Sequence, residues 1–160
     1  TDIESNELEI ILESIKPELI IFSGYGGQIV SPRLCDKFSF LHMHSGKLPE
    51  YRGSTTLYYS ILLNKVCGVT ALLLDPGIDT GLVVNYQSYP IPIPNIDIDR
   101  EYDSAIRADL LAKTLSEYVN NDLQLRALKQ SKTSKGHYYV IHPVLKNIAI
   151  EFIQTQQALV

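Results

Sequence analysis

Cysteine is scarce in this 160-residue chain. Cys35 and Cys67 are too few for the disulfide framework that staples small secreted domains, and both are expected as buried thiols of a reducing compartment. Long hydrophobic runs are also missing. No stretch reaches the roughly 18 apolar residues of a membrane-spanning helix, so no span is predicted. There is no secretory signal either, and a cytoplasmic location is the expectation. Basic charge is in deficit: 14 Lys and Arg against 18 Asp and Glu give a formal net charge of -4. A nucleic-acid face needs clustered Lys and Arg, so no nucleic-acid partner is expected. The densest basic stretch, Arg126, Lys129, Lys132 and Lys135, reads as a solvated face or loop. Methionine occurs once, as Met43, and the first residue is Thr1; the sequence is expected to be part of something longer. No internal repeat is present.

What is present is an ordinary globular balance, 45% hydrophobic and 20% charged, in a length that suits one domain with a real core. Leu8, Ile11, Leu12 and Ile15 recur at helical spacing, and Pro17 stops that helix. "ELIIFSG" (18–24) has the continuous apolar run of a strand buried on both faces. The glycine-rich "GYGGQIVSP" follows it. "SFLHMH" (39–44) is the next strand, and Ser54 is placed to cap a helix carrying Leu57, Tyr58, Ile61 and Leu62. "GVTALLLD" (68–75) reads as a strand, "PGIDTG" (76–81) as a tight loop and "LVVNYQSYPI" (82–91) as a further strand. Tyr102, Ile106, Leu110 and Leu115 mark a long amphipathic helix. "HYYVI" (137–141) looks like a short strand, and "HPVLKNIAIEFIQ" like a helix. Alternating helices and strands predict an α/β fold with an open, mostly parallel, Rossmann-like sheet, whose ligands sit beyond the carboxyl ends of the strands.

His42 and His44 lie at such an end. Residues two apart in a strand share a face, so the two imidazoles are neighbours and Met43 points away. Three readings are open: a zinc site completed by a carboxylate, two histidines bonded to loop backbone, or acid–base and oxyanion chemistry. The last needs an acidic partner and a shaped backbone loop. "DPGIDTG" (75–81) offers both, with Asp79 two residues after one glycine and two before another.

Together, "HMHSGKLPEYRG" and "GVTALLLDPGIDTGLVV" resemble the catalytic core of the 10-formyltetrahydrofolate-dependent formyltransferases. That family includes glycinamide ribonucleotide transformylase, methionyl-tRNA formyltransferase and the sugar N-formyltransferases. The resemblance covers residues 7 to about 91. It places His44 on the family's catalytic histidine and Asp79 on its catalytic aspartate. Leu48, Pro49, Arg52 and Gly53 fall on the intervening loop. "PELIIFSGYGGQIVSP" resembles the strand and loop whose backbone holds the pterin. The resemblance therefore implies Gln28, Ile29, Val30, Asp75 and Gly77 as residues that bind the formyl donor, and Arg52 as an anchor for an acidic group of the acceptor.

The sequence departs from the family at two site positions. His42 stands where the family has its catalytic Asn, and Gly46 where it has a Ser. The family's first βαβ unit has no counterpart here. Residues 1–120 are read as a partial catalytic core and 121–160 as a C-terminal extension. The activity implied is formyl transfer from 10-formyltetrahydrofolate to an amine of a small molecule, with no metal. His44 and His42 would stabilise the oxyanion, His42 as a neutral ring donating through one nitrogen. Asp79 would pair with His44. Hydrolysis of formyl-folate and a non-catalytic folate-binding module are the alternatives, and a metal-dependent hydrolase on His42, His44 and Asp79 ranks below them.

Overall fold

The computed structural model describes residues 3, 5–24, 28–133 and 136–156. Ser5 opens the first helix, α1 (Asn6–Ile15), by accepting the Leu8 N–H at 3.2 Å. Glu7 and Glu9 then sit at its positive end. Lys16, in the left-handed region, and Pro17 close it. The predicted apolar stripe is only half used, because Ile11 and Ile15 are exposed. Buried Glu9 faces two cations, Arg33 and Lys37, each 2.6 Å away. These pairs tie α1 to the short helix α2 (Pro32–Cys35) and to Lys37 just beyond it.

Four strands form one sheet in the order β1 (Ile20–Phe22), β2 (Phe40–His44), β3 (Cys67–Leu73), β4 (Leu82–Tyr89). The open sheet with flanking helices is the expected one, but it is mixed rather than mostly parallel. Only β1 and β2 run parallel; β3 is antiparallel to both β2 and β4. Segment 74–81 contains no crossover helix, and strands joined without one lie antiparallel. The connection through α3 (Thr56–Asn64) delivers β3 at the end where β2 finishes, as the His44↔Thr70 and Leu41↔Leu73 pairs record.

β1 is an edge strand among the described residues, with Ile21 exposed. Its apolar run had implied burial on both faces. The strand buried in that way is β3, all of whose residues but the last are buried. Ser54 does not cap α3. The N-cap position belongs to Thr55 at φ 51, and its side chain makes no cap bond; the hydroxyl instead accepts the Ile141 N–H at 2.8 Å. "HYYVI" forms only one bridge, Tyr138 to Gly53, and Tyr139 and Val140 are exposed.

Alternation along β2 and β3 sorts the two faces. Leu41, Met43, Val69 and Ala71 enter the main core with Ile61 of α3, Leu110 of α4 (Asp103–Asn120) and Ile153 of α5 (Pro143–Thr155). Phe40 packs with Val30 and Leu34 in a second cluster. Of the two cysteines only Cys67 is buried; burial pushes its thiol up to about 12. Among the described residues no helix is long and apolar enough to cross a membrane.

Candidate active site

Because Leu41 and Met43 are committed to the core, His42 and His44 share the other face of β2. Nδ1 of His42 lies 3.0 Å from the carbonyl oxygen of Phe22 on the neighbouring strand. A carbonyl only accepts, so Nδ1 carries the hydrogen, and in the neutral ring Nε2 keeps a lone pair. Burial holds the His42 pKa below the ordinary 6.5; His44 and Arg107 add to this, while the Phe22 carbonyl and Asp79 oppose it. The ring is therefore neutral, as expected, but its single N–H is spent on Phe22 and is not free for an oxyanion.

His44 is 5% exposed. Its Nε2 stands 2.5 Å from the Tyr51 carbonyl oxygen and must be the donor there. Nδ1 faces Asp79 Oδ2 at 3.5 Å. Gly46 makes the Tyr51 contact feasible, since a Cβ at that position would lie 3.0 Å from His44 Nε2 and 2.9 Å from Tyr51 Cβ.

Asp79 comes from the loop after β3, which leaves the sheet beside the amino end of β2, where Leu74 N–H donates to Phe40 O. Because β3 runs antiparallel to β2, its carboxyl end lies beside the amino end of β2, and the loop has to travel back to the histidines. Asp75 shapes its start by accepting from the Gly77 N–H at 3.1 Å and Thr80 Oγ1 at 2.6 Å, a local turn that Asp side chains favour. Asp79 itself sits at φ 52, a conformation Asp tolerates better than most residues. Its Oδ2 also accepts the Gly53 N–H at 2.8 Å. Gly53 is at φ 108, and a Cβ there would meet Tyr138 O at 2.1 Å, so only glycine fits between Asp79 and the C-terminal segment. One ring nitrogen of each histidine and one Asp79 oxygen lie within 4.8 Å of one another.

These three residues line a cavity of about 540 Å³ together with Gln28, Ile29, Val30, Asp75 and Gly77, a size ordinary for a small-molecule site. Tyr25, Gly26 and Gly27 of the predicted glycine-rich loop lie outside the described residues, as does Lys135.

Arg52 is not among the cavity's lining residues. Its guanidinium donates to Gln130 Oε1 through Nε at 3.1 Å and Nη2 at 2.6 Å. Gln130 in turn donates to the carbonyls of Asp79 and Gly81, at 2.8 and 2.9 Å. Arg52 thereby holds the Asp79 loop through an intermediary that lies far outside the motif.

Other lining residues were not singled out from the sequence as site residues. Asp103 and Arg107 of α4 reach the cavity. Arg107 Nε pairs with Asp103 Oδ2 at 3.0 Å, and Asp103 accepts from Ser45 Oγ. Tyr58 OH donates to Asp99 at 2.9 Å, and burial together with that bond raises its pKa. The i,i+4 spacing of Asp103 and Arg107 was a visible signal. Nothing in a single sequence says that this polar face of α4 adjoins the histidines.

Chemically, the arrangement joins an imidazole paired with a carboxylate to a second, neutral imidazole with an available lone pair. It can move a proton and stabilise a developing negative charge. The same three groups have the donor chemistry of a metal-binding set.

The family model described as formyl transferase matches residues 2–109. The methionyl-tRNA formyltransferase of Finegoldia magna is 32% identical over 123 residues, which are 73% of this chain and 39% of that protein. The chain spans about two fifths of the length of that curated relative. Among solved structures, HypX from Aquifex aeolicus superimposes with a TM-score of 0.68 at 20% identity, over 96% of this chain and 29% of HypX. An N-formyltransferase from Helicobacter canadensis in complex with folinic acid and dTDP-3-aminofucose gives a TM-score of 0.57 at 28% identity. That match covers 74% of this chain and 44% of the other.

Proposed function

The chain belongs to the formyl transferase family, and we propose that it moves a formyl group from 10-formyltetrahydrofolate to an amine of a small-molecule acceptor. The observation that carries this reading is the pair of buried His44 and half-buried Asp79, 3.5 Å apart. It stands in a cavity walled by Gln28, Ile29 and Val30 on one segment and by Asp75 and Gly77 on another. A flat bicyclic ring needs such a lining, apolar groups beside a few placed polar ones. The ligands of the Helicobacter canadensis structure, a folate and an amino sugar nucleotide, support both halves of the proposal.

In this reading the acceptor amine gives a proton to Nε2 of His42 and attacks the formyl carbon. The carbonyl electrons move onto oxygen. His44, protonated on both nitrogens and paired with Asp79, donates from Nδ1 to that oxygen; Nε2 is committed to Tyr51. When the intermediate collapses, the bond to the folate nitrogen breaks, and the proton held by His42 passes to it. Gly53 holds Asp79 in register, and Arg52 acts through Gln130 on the same loop. Residues 1–120 form the catalytic core in this proposal and 121–160 an extension that closes it. A reducing cytoplasm suits the buried thiol of Cys67.

Titration of the full-length protein with folinic acid tests the donor site, with saturable binding in the micromolar range expected. Absence of binding at high micromolar ligand, in protein shown to be folded, overturns it. Transfer assays with an amino sugar nucleotide and with methionyl-tRNA test the acceptor. Activity on the tRNA alone would overturn the small-molecule assignment.

A further inference from the structure

The hydrogen bonds that orient His42 and His44 do more than a proton relay requires. Each ring gives its bonded N–H to a backbone carbonyl, His42 Nδ1 to Phe22 and His44 Nε2 to Tyr51. This is the outer-shell pattern that fixes ring and tautomer in metal-bound histidines. In the neutral rings it leaves Nε2 of His42 and Nδ1 of His44 as lone-pair atoms. The third group is held the same way: Asp79 Oδ2 takes the Gly53 N–H at 2.8 Å, as ligating carboxylates are themselves hydrogen-bonded. Nδ1 of His44 and Oδ2 of Asp79 are both acceptors when His44 is neutral, and they face each other at 3.5 Å. Two tetrahedral ligands of one zinc ion, each about 2.0–2.1 Å from it, stand about 3.3 Å apart. One ring nitrogen of each histidine and one Asp79 oxygen lie within 4.8 Å of one another, so the widest separation has to close by about 1.5 Å at most, a movement side-chain rotation can make.

We propose that His42, His44 and Asp79 form a binding site for a divalent first-row transition ion of the zinc class, and that the bound ion blocks formyl transfer. Two imidazoles and one carboxylate are the ligand types such ions select over magnesium or calcium. Three protein ligands leave a fourth position open to the cavity. His42 is the residue that creates the site: with an amide at this position only one imidazole would remain. The blocking follows from atoms already assigned. An ion on Nδ1 of His44 and Nε2 of His42 occupies the donor and the proton acceptor of the transfer, and a His44 proton on Nδ1 is released to solvent as the ion binds. Inhibition rests on the transfer reading above; binding does not.

The test uses the full-length protein, stripped with chelator, dialysed against zinc chloride and cleared of excess ion. Metal content and formyl transfer are then measured on the same sample. One zinc per chain is expected in the parent. His42→Asn and Asp79→Asn should each weaken binding at least tenfold, with their folding checked by circular dichroism. His42→Asn carries the amide that the family has there, so it keeps the fold available for comparison. Cobalt in place of zinc should give the visible absorption of a tetrahedral site in the parent and not in the variants. Transfer should fall in proportion to occupancy and return on adding chelator. No stoichiometric zinc in the parent, or equal zinc in a folded His42→Asn variant, overturns the site. Full occupancy with undiminished transfer overturns the blocking. A parent that binds one zinc through His42 but transfers no formyl group upholds the site and removes the transfer reading instead.

Discussion

His42 is one atom away from two different chemistries. Its Nδ1–H is used on Phe22, so what Nε2 offers depends on whether the ring carries a second proton. Burial keeps it neutral, and a neutral Nε2 accepts. This fixes the expectation for two substitutions. His42→Ala should lower transfer by about 100-fold or more, the usual scale for a positioned acid–base group. His42→Asn should lose nearly as much, because an amide can orient the amine but cannot take its proton. Its pH profile should differ, however. The parent should lose activity on the acid side with a midpoint below the ordinary 6.5 of histidine, as protonation removes the Nε2 lone pair. The Asn variant should lack that limb. Steady-state rates across pH in chelated buffer check both statements; an Asn variant as active as the parent, with intact fold, would sink the role given to His42.

At the scale of elements, the Asp79 loop is the piece that has to be held. Its supports come from two distant segments: Gly53 by its N–H from one, and Gln130 by its side chain from the other, with Arg52, next to Gly53, acting through Gln130. A hydrogen bond to a charged group contributes about 1.5–3 kcal/mol, against about 0.5–1.5 for a neutral pair. The Gly53–Asp79 bond is thus the stronger tether and the Gln130 bonds the lesser ones. Arg52→Ala and Gln130→Ala should each lower kcat several-fold with little change in acceptor KM, and the double variant should be no worse than either single one. An anchor that touched the acceptor would instead raise KM in Arg52→Ala alone. His44, Asp79 and Gly53 were marked in the sequence by the resemblance to the family, because each lies inside a short motif. Gln130 was not, because nothing near it in the chain announces its contact with Gly81, 49 positions earlier. For the same reason the sheet was read as mostly parallel: periodicity identifies a strand but not the direction of its partner. The continuous apolar run of 18–24 predicted burial on both faces, yet β1 lies at the edge and leaves Ile21 exposed; the strand buried in that way is β3, inside the sheet.

For the molecule as a whole, burying a neutral histidine makes stability depend on pH with a definite sign. The folded pKa of His42 is lowered, so between it and the unfolded value the unfolded chain binds more protons. Stability then falls as pH drops below about 6.5 and levels off once the folded pKa is passed. Urea midpoints of chelated protein at pH 7.5 and 5.5 measure this. The drop should be smaller in His42→Asn, which has no group to protonate at that position. An equal drop in both proteins would assign the effect to other residues.

The bridge between Gly53 and Tyr138 carries a consequence for synthesis. Tyr138 N–H bonds to Arg52 O at 2.7 Å, and its carbonyl takes the Ser54 N–H at 2.8 Å. These bonds flank the very glycine whose N–H reaches Asp79. Both histidines and Asp79 leave the ribosome well before Tyr138 does, yet the peptide that fixes the carboxylate is clamped only when that later segment arrives. Contacts this far apart in sequence close late, after the loop entropy between them has been overcome. A nascent chain stalled before Tyr138 therefore presents two oriented imidazoles without a fixed acidic partner, and the carboxylate is set in place by the segment around Tyr138 rather than by the motif that carries it.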